Sequence, residues 1–152
     1  MTEHVSVVVP CRDHGHLLGD ALDSIAEQGL TNVEVLVVDD ASSDETVAIA
    51  IAGGARVVPS RGRGAAAARN TGADATSGEI IAFLDADDLW PHDSLQRRMA
   101  ALAGNDAAYG GVEEFVDDDL EGPSPEPRIV GPTRIAGSGL VTRSAWRPLV
   151  HI

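Results

Sequence analysis

One cysteine, Cys11, is all that this 152-residue chain carries, which excludes an internal disulfide and any zinc site built from several thiolates. Positive charge is also scarce: 11 Lys and Arg stand against 24 Asp and Glu, for a net charge of −13. Nucleic acid and anionic membranes both draw proteins in through a basic face, so neither is expected as a partner. No apolar run reaches the ~18 residues of a membrane-spanning helix. The amino terminus has no basic start followed by an apolar core, as a signal peptide has. The chain is therefore expected to lack a transmembrane segment and to be cytoplasmic. With 43% hydrophobic and 23% charged residues, it is expected to fold as one globular domain over residues 1–152 with a sizeable core.

What is present is an alternation of two patterns. Val5–Val9 and Val33–Val38 are runs of β-branched residues without polar alternation, as are the shorter Arg56–Pro59 and Ile80–Leu84. Such runs suit strands covered on both faces, which means a parallel sheet. Pro10 is expected to stop the first of them. Between the strands, Leu18, Leu22, Ile25 and Ala26 recur at helical spacing, predicting a helix over His16–Gln28. The segment TVAIAIA follows the caps Ser42, Ser43 and Asp44, Ala65–Ala75 is alanine-rich and is expected to expose Arg69 and Asn70, and His92–Leu102 carries one apolar stripe behind Pro91. The order βαβαβαβα calls for a mainly parallel sheet flanked by helices, a three-layer α/β/α arrangement. Beyond Gly104, Ala107–Val116 reads as a strand, Asp117–Arg128 as an acidic loop and Ser138–Thr142 as a further strand.

Two of these strands end in acid. Val33–Val38 runs into Asp39 and Asp40, and Ile80–Leu84 into Asp85, Asp87 and Asp88. Open α/β sheets bind ligands at the carboxyl ends of their strands, so the acids should share one edge. Asp85 and Asp87 are expected on opposite sides of the chain, with Asp88 just beyond and available to cap the next helix. A cluster of hard oxygen donors suits Mg²⁺ or Mn²⁺, which bind one or two carboxylates together with substrate phosphates. Acidic turns also start helices, and from this stretch alone both readings stand. The glycines of SRGRGAAAARNTG lack the lysine and spacing of a P-loop and do not form the dinucleotide-binding pattern.

The stretches VSVVVPCRDHGHLLGDALDSIAEQ, VEVLVVDDASSDET, AAARNTG and GEIIAFLDADDLWPHDSL, in that order, resemble the nucleotide-sugar half of the family 2 glycosyltransferases, which have the GT-A (Rossmann-like) fold. The likeness covers roughly residues 4–103, and GSGLVTRSAW is weakly similar to the strand and helix start that follow in the family. The resemblance implies a nucleotide-diphospho-sugar donor, an acceptor that it leaves unknown, and Mn²⁺ or Mg²⁺ as cofactor. It also implies that Pro10 and Arg12 line the nucleotide cleft, that Asp40 hydrogen-bonds the base with Asp39 in support, and that Arg69 sits near the diphosphate. Asp85 and Asp87 match the family's Asp-x-Asp metal motif, with Asp88 as a further candidate ligand.

The chain departs from the family pattern in the catalytic base. Family members carry it in a downstream acidic motif, and this sequence reaches Ile152 without it, which reads as truncation after the donor half. Glu113, Glu114 and Asp117 fall in the wrong place in the pattern, and His14, His16 and His92 read as loop or helix surface, so the catalytic residue is left unknown. Trp90 and Trp146 read as packing. The expectation is donor binding with poor transfer, and self-association through an apolar edge near Leu140–Ile152. A nucleotide-sugar-binding module without transferase activity is the alternative. A nucleotidyltransferase is disfavoured, because PCRDHGHL is not the Gly-rich basic loop such enzymes place after strand one.

Overall fold

The computed structural model describes residues 3–110, 112–114, 128–130 and 139–147. Four strands and four helices alternate through residue 102: β1 (Val5–Cys11), α1 (Gly15–Ala26), β2 (Val33–Asp39), α2 (Thr46–Ala52), β3 (Arg56–Pro59), α3 (Ala65–Ala75), β4 (Ile80–Phe83) and α4 (Ser94–Leu102). They are followed by β5 (Ala107–Tyr109), β6 (Val112–Glu114), β7 (Arg128–Val130) and β8 (Gly139–Thr142). Among the described residues, six strands form one sheet in the order β3-β2-β1-β4-β8-β5, and β6 pairs with β7 in a separate ladder. The contacts β1–β2, β1–β4 and β2–β3 are parallel, whereas β8 lies antiparallel between β4 and β5. The mainly parallel α/β arrangement is thus the one the sequence pattern predicts.

Every residue of β1 is buried, because strands pair on both sides of it and helices cover both its faces. Side chains alternate between those faces. Val5, Val7, Val9 and Cys11 pack with Leu18, Leu22, Leu95 and Leu102 of α1 and α4. Val8 joins Leu36, Val38, Ile81 and Phe83 against Ala68 and Ala73 of α3. The two faces of the sheet therefore carry separate cores, and the parity of a residue in its strand tells which helix it meets.

Several boundaries differ from the sequence reading. Pro10 does not stop β1, which continues to Cys11 with Pro10 opposite Val38. Leu84 N–H donates to Val8 O, and Asp40 N–H to Cys11 O, so the backbone of residue 10 faces the β4 side of the strand. The β4 ladder ends at Phe83 opposite Val8, and a missing N–H at position 10 breaks no pair. α4 begins at Ser94 rather than His92, since Asp93 takes a left-handed conformation with φ 61°. Asp93, not Asp88, holds the N-cap position of α4. The expected Ala107–Val116 strand is two short ones, β5 and β6, on either side of residues 110–111, and they belong to different ladders. Leu140 is buried inside the sheet and Val141 packs against the α3-side core, so at these two residues the apolar edge expected near Leu140–Ile152 is covered by β4 and β5. Of the expected loop Asp117–Arg128, Arg128 is instead the first residue of β7, and residues 117–127, like residues 148–152, lie outside the described residues.

α3 lies close on β1 because position 72 is glycine: a Cβ there would overlap Val8 Cγ1 and sit 3.0 Å from Val38 Cγ2. Gly72→Ala gains about 1 kcal/mol of helix propensity, but forcing a methyl into packed atoms typically costs ~1–3 kcal/mol or more. We expect a net loss of stability, seen as a melting temperature several degrees lower. Adding Val8→Ala to that variant should cost less than the two single losses together. A Gly72→Ala protein as stable as the parent would show that α3 does not rest on β1 this closely.

Candidate functional site

The strand ends β1, β2 and β4 and the start of α3 enclose a cleft of about 190 Å³. Pro10, Arg12 and His14 line it from β1 and its loop, Asp40 from β2, Gly64, Ala65, Ala68 and Arg69 from α3, and Asp85, Ala86 and Asp87 from β4. The structure thus brings together six of the eight sequence candidates. Asp39 and Asp88 are not among the lining residues.

Strand parity explains this sorting. Leu36 and Val38 face α3, and Asp40 continues that side, where its Oδ2 accepts Gly64 N–H at 2.8 Å. Asp39 shares the parity of Val37, which faces the α1 side; its Oδ1 accepts Ser42 N–H at 3.2 Å and closes the turn after β2. Ile81 and Phe83 also face α3. Asp85 follows in that register and meets Arg69, whose Nη2 lies 2.5 Å from Asp85 Oδ1. The expectation that Asp85 and Asp87 diverge is corrected: residues two apart share a face, and a turn closed by Asp88 N–H to Asp85 O at 3.0 Å keeps both on the cleft. α3 does not expose Arg69 as expected. The side chain is 13% exposed and turned into the cleft, and its buried Nε–H has no partner among the described residues.

The mouth of the cleft is fastened by reciprocal bonds between the loops after β1 and β2. Asp13 N–H donates to Ser42 Oγ at 3.0 Å, while Ser43 N–H donates to Asp13 Oδ1 at 2.7 Å. Asp44 accepts Gly15 N–H at 2.9 Å and Thr46 N–H at 3.0 Å, so one carboxylate serves the starts of both α1 and α2. α1 has no cap of its own, and Asp44 supplies it from another loop. The Ser43 N–H holds Asp13, and the Thr46 hydroxyl holds Asp44, below the usual carboxylate range. Asp13 and Ala41, each one residue past a cleft residue, have φ of 52° and 57°, a conformation that non-glycine residues keep only where the surroundings impose it. The sequence reading names Asp44 as a cap of α2, which its bond to Thr46 N–H bears out, but gives no sign of its bond to Gly15 or of the part played by Asp13; reciprocal bonding across loops has no spacing signature. It also treated His14 as surface, whereas His14 is half-buried and lines the cleft.

At the β4 end the charges crowd. Asp88 has an exposed side chain, yet neighbouring protein atoms displace part of its water, and this desolvation, with the charges of Asp85 and Asp87 behind it, raises its pKa against the opposing pull of Arg69. Among the described residues no three His, Cys, Asp or Glu side chains gather so as to hold a metal ion by themselves. Asp85 and Asp87 do bring hard oxygen donors to one end of the cleft. That donor set fits Mg²⁺ or Mn²⁺ bound by one or two carboxylates and completed by phosphate oxygens and water. Glu113 and Glu114 lie in β6, of whose side chains nothing is described, and Asp117 is outside the described residues.

Comparison with known proteins gives this cleft a context. Residues 6–144 match the family model described as glycosyl transferase family 2. A curated relative from Escherichia coli, UDP-Glc:alpha-D-GlcNAc-diphosphoundecaprenol beta-1,3-glucosyltransferase, is 31% identical over 143 residues, 90% of this chain and 54% of its own. A solved mannosyltransferase from Pyrobaculum calidifontis, in complex with GDP-Man and Mn²⁺, superposes with a TM-score of 0.65 at 32% identity, covering 70% of this chain and 35% of that one. Glucosyl-3-phosphoglycerate synthase from Mycobacterium tuberculosis, in complex with Mn²⁺, UDP and glucosyl-3-phosphoglycerate, gives 0.60 at 30% identity over 69% of this chain and 42% of that one. This chain spans about half the length of the E. coli relative, or less of the others. The mainly parallel α/β architecture, the acid-tipped strands and a family match running nearly the whole chain agree, and the chain belongs to glycosyl transferase family 2.

Proposed function

We propose that this chain binds a nucleotide-diphospho-sugar with Mn²⁺ or Mg²⁺ and serves its transfer, with inversion, to an acceptor hydroxyl. The observation that carries the reading is Arg69, a guanidinium almost out of solvent between the start of α3 and Asp85, with a buried N–H unpaired in a cleft that also holds Asp40 and Asp87. A buried unpaired donor costs stability unless a ligand uses it, and a diphosphate supplies the acceptors. The proteins solved with GDP-Man and Mn²⁺ or with UDP and Mn²⁺ support the same assignment.

On this reading each residue has a task. Asp40, held at one oxygen by Gly64 N–H, keeps its other oxygen for an N–H of the base. Asp39 stiffens the turn behind it, Pro10 and Arg12 form one wall, and Arg69 neutralises the diphosphate. Asp85 and Asp87, with Asp88 beside them, hold the divalent ion, which when bound neutralises charge on the departing nucleoside diphosphate. The −13 chain can accept an anionic ligand here because Arg12, Arg69 and a bound divalent ion would together reverse the sign of the local field.

Inversion needs a general base on the far side of the sugar, and such a base typically contributes ~10²–10⁴-fold. Of the lining carboxylates, Asp40 is engaged by Gly64 and Asp85 by Arg69, and a bound divalent ion would take up Asp87. This favours a second reading, in which these residues bind donor but turn it over slowly. Melting curves with UDP-, GDP- and TDP-sugars test the main reading. At about a hundredfold excess over Kd, a ligand specific to the folded state adds about 2.7 kcal/mol, and a chain of this size gains roughly 2–4 °C per kcal/mol. We expect such a rise with one nucleotide family in Mn²⁺ and its loss in EDTA. No rise with any of them would sink the assignment, and transfer to sugar acceptors at an ordinary enzymatic rate would sink the second reading.

A further inference from the structure

The turn Asp85–Asp88 is tethered on both sides. On the β4 side Leu84 N–H bonds Val8 O. On the far side the tether is made by two buried polar side chains of α1 and its end, Ser24 and Gln28, which are 6% and 3% exposed. Ser24 Oγ accepts Trp90 N–H at 3.1 Å and donates to Ala21 O at 2.7 Å. Gln28 Nε2 donates to Pro91 O at 3.1 Å and to Ser24 O at 3.0 Å, and its Oε1 accepts Leu95 N–H at 2.9 Å.

α4 has no side-chain cap of its own, because Asp93 in the left-handed region does not provide one. Gln28 therefore supplies from a different helix the acceptor that the first turn of α4 needs. Trp90, 6% exposed, is locked in the core by the same bonds, with the Arg98 guanidinium 4.5 Å above its ring. Only Leu89 stands between the fixed Trp90 and the acidic turn, and Leu89 is exposed and contributes no anchor. The backbone just after Asp87 and Asp88 is thus held by bonds made behind the turn.

We propose that Ser24 and Gln28 are positioning residues for the metal-binding turn, acting on Asp87 and Asp88 through Trp90, Pro91 and Leu95. Neither touches the cleft. This rests on the reading in which Asp85 and Asp87 hold a divalent ion with a nucleoside diphosphate. Groups that orient metal ligands typically change metal affinity by ~10–100-fold when removed. Loss of the tether should therefore weaken nucleotide binding only where the metal takes part.

The test is calorimetric titration of UDP and of GDP into the parent chain, Ser24→Ala, Ser24→Thr and Gln28→Met, each with Mn²⁺ and in EDTA. The readout is the ratio of the metal-free to the metal-bound Kd, with melting temperature recorded alongside. For Ser24→Ala and Gln28→Met we expect that ratio to fall by about tenfold, with the EDTA value unchanged, and Ser24→Thr to restore it by keeping the hydroxyl. If the melting temperature drops but the ratio stays at the parent value, the two residues are only structural and the inference is overturned. Equal weakening with and without Mn²⁺ overturns it too, since the whole cleft would then have moved. Should Gln28→Met give no cooperative melt, Ser24→Ala, which removes one hydroxyl, decides by the same criteria. A parent ratio of one would instead strike down the metal reading itself, and this inference with it.

Discussion

Asp87→Asn is expected to remove the manganese-dependent rise in melting temperature and to leave the metal-free melt where it was. Asp87 is exposed, and the turn that carries it is closed by a backbone bond from Asp88 N–H to Asp85 O, which the substitution does not touch. Asparagine keeps the size and one oxygen but gives up the charge that attracts a hard divalent ion. The whole metal-dependent stabilisation, several degrees at saturating nucleotide, is therefore expected to go. Asp85→Asn is the instructive control. It also breaks the pair with the nearly buried Arg69, so it should lower the metal-free melting temperature as well. An Asp87→Asn protein that still gains the parent's full rise with Mn²⁺ would remove Asp87 from the site.

Arg69→Lys should weaken nucleoside diphosphate binding by roughly tenfold or more, as expected where a charge-assisted hydrogen bond worth ~1.5–3 kcal/mol is lost. Lysine keeps a positive charge opposite Asp85 but has no planar fork and no counterpart to Nε–H, the buried donor left over in the structure. The nucleoside itself lacks the diphosphate, so its affinity should not change, and titrating uridine and guanosine beside their diphosphates separates the two effects. Arg69→Met goes further and leaves Asp85 without its cation, which should reduce the melting temperature too. Diphosphate affinity that survives in Arg69→Lys would mean that Arg69 serves only to hold Asp85.

Much of this molecule could be read from residue order, and the failures have physical causes. The unalternating runs at Val5, Val33 and Ile80 announce buried parallel strands, and the observed β1, β2 and β4 pair in that way. The acids at the strand ends lie at one edge for the same reason. Which acid enters the cleft was also legible, although the reading placed Asp85 and Asp87 on opposite sides. Counting by twos from Val38 to Asp40 and from Phe83 to Asp85 puts both on the α3 face, as observed. What could not be read depends on partners distant in the chain. Pro10 is tolerated in a central strand only because β4 is short. Asp44 caps α1 and Gln28 caps α4 from other elements, and no local signature marks a cap that comes from elsewhere. The burial of Arg69 follows from Gly72, whose missing side chain lets α3 sink onto β1.

The antiparallel strand β8 sets the order in which the molecule becomes complete. β4 has β1 as its neighbour on one side as soon as Phe83 has been made, but on the other side Ile80 must wait for Thr142. The same late segment brings Arg143, whose guanidinium donates to Gly78 O, Ala73 O and Thr76 Oγ1 at 2.6, 2.8 and 3.1 Å and ties down the turn from α3 into β4. While the chain is emerging from the ribosome, the strand that bears the acidic turn therefore shows a bare row of backbone donors and acceptors. An open edge of this kind is a template for another chain, and long-range pairings form slowly. The interval between the synthesis of Phe83 and of Thr142 is when a nascent chain is most exposed to mispairing with its neighbours on the same message.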